Sequence, residues 1–138
     1  MRSLLFGASV LIGALVSSGC GSNSPTAPTA PEVVTTTETF SGSININGAA
    51  THSFFTTVTG TVTATLTGLD PAETATIGLS LGTWNGISCN IIIASDKAVL
   101  TQVVTGTVST TAGSLCVRVY DTGSLIGPTN YEVQVVHP

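Results

Sequence analysis

The segment Thr61-Val62-Thr63-Ala64-Thr65-Leu66-Thr67 places threonine at every odd position and an apolar residue at every even one. A period of two is β-strand geometry, because successive side chains leave opposite faces of the strand. Val62, Ala64 and Leu66 are thus expected to face a core while the β-branched threonines pave a solvated side. Ile77, Leu79 and Leu81 share one face of the next apolar run, as do Leu115, Val117 and Val119 of a later one and Tyr131, Val133 and Val135 of the last. Turn formers stand between the runs at Asn47-Gly48, Gly60, Asp70-Pro71, Asn85-Gly86, Ser95-Asp96, Gly113 and Gly127-Pro128. About eight strands at roughly ten-residue spacing, with no helical period, predict an all-β chain. Two packed antiparallel sheets are the compact solution at this size, so a single antiparallel β-sandwich is expected over residues 38–138.

Such strands are polar without being charged. Charged residues are 7% of the 138, with a formal net charge of −4, and about two dozen threonines supply the missing polarity. Lys97 and Arg118 are the cations beyond Arg2, which excludes nucleic acid as a partner, since binding it rests on several phosphate-neutralising cations. Asp70, Glu73, Asp96 and Asp121 are expected near turns, where a carboxylate guards a strand end against edge-to-edge association.

The chain begins Met1-Arg2, runs uncharged from Leu4 to Val16, and reaches Ser17-Ser18-Gly19-Cys20. A charged start, a short apolar stretch and a small-residue cleavage site are the parts of an export signal, and the stretch is too short to span a bilayer. Residues 1–19 are read as a signal peptide, with export to the cell envelope. Residues 20–37, rich in Pro, Ser and Thr, are read as a tether headed by a lipidated Cys20 that anchors the protein to the outer membrane or cell surface. Ser17 stands where a lipobox favours an aliphatic residue, so lipidation leans on the cysteine count instead. In an oxidising compartment thiols pair, and joining Cys89 to Cys116 leaves Cys20 over for lipid; two free buried thiols are the alternative. Parity complicates the pairing. Cys89 alternates with Ile91 and Ile93, whereas Cys116 alternates away from Leu115, Val117 and Val119, so a bulge or a strand end is needed to bring the two together.

Three passages extend this reading: the Phe54 strand turning through Gly60 into Thr61–Thr67, then Ala112-Gly113-Ser114-Leu115-Cys116-Val117-Arg118-Val119-Tyr120-Asp121, and finally Asn130-Tyr131-Glu132-Val133-Gln134-Val135. Residues 39–137 resemble the bacterial pre-peptidase C-terminal domain and related secreted β-sandwich modules. The resemblance implies a jelly-roll-like sandwich used as an accessory module. The family's acidic strand corresponds to Thr74-Ala75-Thr76-Ile77-Gly78-Leu79-Ser80-Leu81, which has no carboxylate, so a family-type calcium site is not carried over.

Catalytic patterns are weak. Gly78-Leu79-Ser80-Leu81-Gly82 matches the nucleophile elbow G-x-S-x-G, but it reads as a strand with Ser80 between inward leucines, and no helix follows. His52 begins a strand and His137 is penultimate, so neither is placed to serve a serine as base. Asp70 and Glu73 lack the dense oxygen ligands of a calcium loop, and no close cysteine or histidine pair suits zinc. No enzyme, cofactor or metal is expected. Trp84, read as a loop residue in Thr83-Trp84-Asn85-Gly86, is a candidate for stacking on a sugar or anchoring a protein. Tyr120 and Arg118, leaning outward from the late strand, form a candidate cation–π or stacking patch. The expected function is a non-enzymatic envelope lipoprotein that binds an envelope protein or glycan. A structural or adhesion coat subunit is the alternative, and an extracytoplasmic hydrolase the third.

Overall fold

The structure is a computed structural model that describes residues 27–71 and 76–138. The expected signal peptide 1–19, Cys20, the tether up to residue 26, Glu73, Thr74 and Ala75 lie outside the described residues. Residues 27–31 carry no secondary structure and are exposed. From there eight strands follow: β1 (Thr36–Ile44), β2 (Ala49–Thr56), β3 (Gly60–Asp70), β4 (Ile77–Trp84), β5 (Cys89–Ala98), β6 (Val103–Val108), β7 (Gly113–Tyr120) and β8 (Thr129–His137). Thr36 and Thr37, assigned above to the tether, already belong to β1.

All pairings are antiparallel, in two four-stranded sheets ordered β1-β8-β3-β6 and β2-β7-β4-β5. This interleaving of strands between two sheets is the jelly-roll arrangement. The alternation in β3 is realised as expected: Val62, Ala64 and Leu66 are buried and Thr61 and Thr67 exposed. Ile77, Leu79, Leu81, Val117, Val119, Tyr131, Val133 and Val135 join them in one core.

β4 departs from simple alternation, since all six residues from Ile77 to Gly82 are buried. Its two glycines explain this. The Tyr120 ring lies across Gly78, where an added Cβ would meet ring carbons at 2.2 Å, and the β5 backbone crosses Gly82, where it would meet the Asn90 carbonyl oxygen at 2.2 Å. The G-x-S-x-G passage is therefore a site of close backbone approach. Ser80 is fully buried between the glycines, its hydroxyl directed at the Arg118 carbonyl oxygen, 3.3 Å away.

The same crossing reconciles the cysteines. Leu81 pairs with Ile93 but Gly82 with Ile91, so Ile92 is bulged out and the residues before it change face. Cys89, the first residue of β5, then meets Cys116, with α-carbons 5.8 Å apart, and the two form a disulfide. The free-thiol alternative falls.

One carboxylate differs from expectation. Asp96 is inside β5 rather than at a turn, in a second bulge where Ile77 pairs with Ala98 and Leu79 with Ser95. The reversal comes after Ala98, held by Thr101 and Gln102, whose backbones bond to that of Leu66. Asp121 is at a turn and organises it. Its Oδ2 accepts from the Asn47 backbone N–H at 2.8 Å, and its Oδ1 accepts from those of Gly123, Ser124 and Leu125. These donors, Asn47 first, hold the carboxyl below the usual range despite the opposing effect of desolvation.

Candidate functional site

By register, Gly78 faces Tyr120 and Ser80 faces Arg118 on the neighbouring strand, so the outward residues of β7 stand over the small residues of β4. Gly78 lets the Tyr120 ring lie flat against the sheet, and the Tyr120 hydroxyl donates to Asp96 Oδ1 from the bulge in β5. The guanidinium carbon of Arg118 is 6.0 Å from the ring centroid. Arg118 Nε is buried without a hydrogen-bond partner, so the charge that remains accessible is at the end of the guanidinium.

Around Tyr120 lies an open depression of about 460 Å³ lined by Thr76, Asp96, Lys97, Tyr120, Thr122 and Ser124. Its chemistry is four hydroxyls, one carboxylate, one ammonium and one aromatic face, within the size range of ligand sites, roughly 300–1,000 Å³. The second bulge of β5 makes this possible by turning Asp96 to the outer face. A cleft between the sheets, lined by Val62, Leu81, Ile93, Val108 and Leu115 among others, is only about 60 Å³.

Burial first, and then Asp96 as hydrogen-bond acceptor and negative neighbour, push the Tyr120 phenol up to about 12. Burial also raises Tyr131. These are the chain's two tyrosines. In the folded protein the Tyr120 phenolate step is expected near pH 12 instead of the ordinary pH 10, with that of Tyr131 displaced upward from the ordinary value. The denatured chain ionises there. For a raised pKa the stabilising contribution is whole below about pH 10 and lost as pH climbs to about 12. Absorbance titration checks this, and both tyrosines titrating together at pH 10 in the folded state would refute it.

Trp84 is not in a loop, as expected above, but is the last residue of β4, half-buried and paired with Cys89. The turn that follows is built on Asn85, whose Oδ1 accepts from the Ile87 and Ser88 backbone N–H groups, with Gly86 at φ +95°. Six residues of strand separate Trp84 from Gly78, roughly 20 Å at strand rise. The structure therefore brings Tyr120 and Arg118 together and leaves Trp84 at the far end of the same sheet.

Sequence reasoning missed a cluster. His137 is buried in β8 rather than loosely ordered near the terminus, and its Nε2 is 2.9 Å from Glu38 Oε1. His52 Nε2 shares a hydrogen bond of 2.7 Å with the Tyr131 hydroxyl and stacks on Phe40 at 4.9 Å, while Phe54 lies 5.1 Å from His137. Burial lowers the His52 pKa, favouring the neutral ring. These residues fill the slot between the edge strands β1 and β2. Strand parity could have found them, since Phe40, His52 and Phe54 alternate inward with Glu38 and Tyr131 on adjoining strands. Among the described residues no three His, Cys, Asp or Glu side chains converge as metal ligands would.

No family model matches the chain, and no curated protein matches it. Among solved structures it is similar to the Yersinia pseudotuberculosis-derived mitogen YPM. The TM-score is 0.55 at 18% identity, covering 74% of this chain and 86% of that one. At that identity the likeness to YPM is one of fold, and the Tyr120 depression is read from this chain's own residues. No comparison supports the expected resemblance to pre-peptidase C-terminal domains.

Proposed function

We propose that this protein is an exported, non-enzymatic binding module of the cell envelope, lipid-anchored through Cys20, and that the Tyr120 depression takes a hydroxyl-rich ligand, a glycan. The observation that carries the reading is the Tyr120–Asp96 pair. An aromatic face held flat beside a carboxylate and several hydroxyls offers the two contacts a sugar ring uses, stacking on its C–H face and acceptance of its hydroxyl protons. Burying the Ser80 hydroxyl removes the nucleophile of the elbow motif, which supports binding over turnover. The Cys89–Cys116 bond suits an oxidising compartment.

A glycan array probed with the purified protein tests the reading. Tyr120→Ala and Asp96→Ala are each expected to weaken the captured glycan about tenfold, corresponding to ~1.4 kcal/mol. Trp84→Ala is expected to leave that binding unchanged. No bound glycan, or binding indifferent to Tyr120 and Asp96, would sink the sugar ligand and favour an envelope protein as partner.

Exposure of Ile91, Ile92 and Ile93 on the edge strand β5 favours a second reading, an adhesion or coat subunit that assembles through edges. It ranks below the first because the two bulges of β5 twist that edge away from further pairing. Concentration-dependent assembly in sedimentation would reverse the order.

A further inference from the structure

The sandwich has two unlike poles. Because all pairings are antiparallel, turns 57–59, 85–88 and 109–112 lie at one pole with the start of β1 at Thr36 and the end of β8 at His137. Turns 45–48, 99–102 and 121–128 lie at the other. Charge follows the second pole: Asp70 pairs with Asn130 beside it, Arg118 and Asp121 flank Tyr120, and Asp96 and Lys97 precede Ala98 at the end of β5. Turns 57–59, 85–88 and 109–112 contain no charged residue, and Glu38, the acid of the adjoining strands, is occupied by His137.

This uncharged pole carries apolar side chains that the fold does not require. Ile87 is 89% exposed in a turn whose geometry is already set by Asn85 and Gly86, so its side chain contributes nothing to the sandwich. Val58, at the tip of turn 57–59, is 47% exposed, and Phe55 beside it 56%. Trp84 stands next to the Ile87 turn. The opposite pole also exposes Ile46, Val99, Leu100 and Ile126, but beside charge: the Ile46 turn is bonded to Asp121 through Asn47, Ile126 is in the Asp121 loop, and Val99 and Leu100 follow Asp96 and Lys97. Residues 21–35 separate Cys20 from Thr36, so an anchor at Cys20 leads into the uncharged pole.

We infer that this pole rests on the lipid headgroup layer, with Ile87, Val58 and Trp84 entering the interface. The inference rests on the anchored reading proposed above and adds to it a fixed orientation. A lipid anchor at Cys20 holds the domain at the surface without orienting it, and a second contact that buries aliphatic side chains fixes the orientation, with tryptophan suited to the polar–apolar boundary. The three turns of this pole bring no carboxylate to desolvate at the headgroups, Glu38 being paired with His137 and Glu32 lying in the lead-in to β1. The orientation points the Tyr120 depression away from the membrane, toward whatever lies outside.

Trp84 is the single tryptophan, which makes it the reporter. The full chain, purified from membranes, is reconstituted into phosphatidylcholine–phosphatidylglycerol vesicles with or without brominated acyl chains. The expected result is a loss of Trp84 emission in brominated vesicles and a shift to shorter wavelength. Val58→Asp with Ile87→Asp should restore the emission while circular dichroism stays unchanged. Equal emission in both vesicles, or quenching that survives the double substitution, would overturn the seating. Intact mass separates this from the anchor: an unmodified Cys20 sinks the anchored reading, and protein added to the same vesicles then decides the seating by quenching or its absence.

Discussion

Replacing both Cys89 and Cys116 with serine is expected to lower the stability of the folded domain by about 3.5 kcal/mol, the chain-entropy value for a loop of this length. The bond separates residues 27 apart in sequence and crosses from β5 to β7 over Gly82. Its loss frees the start of β5, which sits at a bulge and is an edge strand. Urea denaturation of the oxidised protein, the reduced protein and the double variant measures the effect. The reduced protein and the variant should agree, and a change under about 1 kcal/mol would mean that the β5 crossing is held by packing alone.

Leu66→Ala is expected to cost about 3 kcal/mol, within the range of roughly 2–5 kcal/mol for buried leucines. Leu66 is fully buried at the centre of β3, and its backbone N–H and carbonyl hold Gln102 and Thr101 of the β5–β6 turn. A cavity there loses contacts from both sheets at once. Ile92→Ala, at a bulged position 72% exposed, should change stability by no more than about 0.5 kcal/mol. Chemical denaturation of the two variants side by side checks the contrast, and equal effects would remove Leu66 from the core.

How far the site could be read in advance differs between its residues. Tyr120 and Arg118 were legible as an outward pair, because alternation with Val117 and Val119 depends only on local geometry. Asp96 was not, because Ser95-Asp96 has the composition of a turn, and only the bulge opposite β4 keeps both residues inside β5. Trp84 misled for the opposite reason. It precedes Asn85-Gly86, the true turn, and nothing local distinguishes the last paired residue from the first unpaired one. Gly78 and Gly82 offered a catalytic pattern whose meaning was steric, since what lies across each glycine belongs to strands distant in sequence. His137 was judged by its position near the terminus, although β8 pairs with β1 and sets it beside Glu38, from the other end of the domain's sequence.

The sequence by itself determined that this chain is all β, about how many strands it has and which face of β3, β7 and β8 is buried, and it favoured the pairing of Cys89 with Cys116 over free thiols. Each of these follows from a two-residue period, from turn chemistry, or from counting thiols in an oxidising compartment. Only the tertiary structure decided the jelly-roll order, the crossing of β5 over Gly82, the meeting of Tyr120 with Asp96, and the separation of a charged pole from an uncharged one. Those depend on register and bulges, where a shift of one residue moves a side chain to the other face, and that choice is made by packing between strands far apart in the chain.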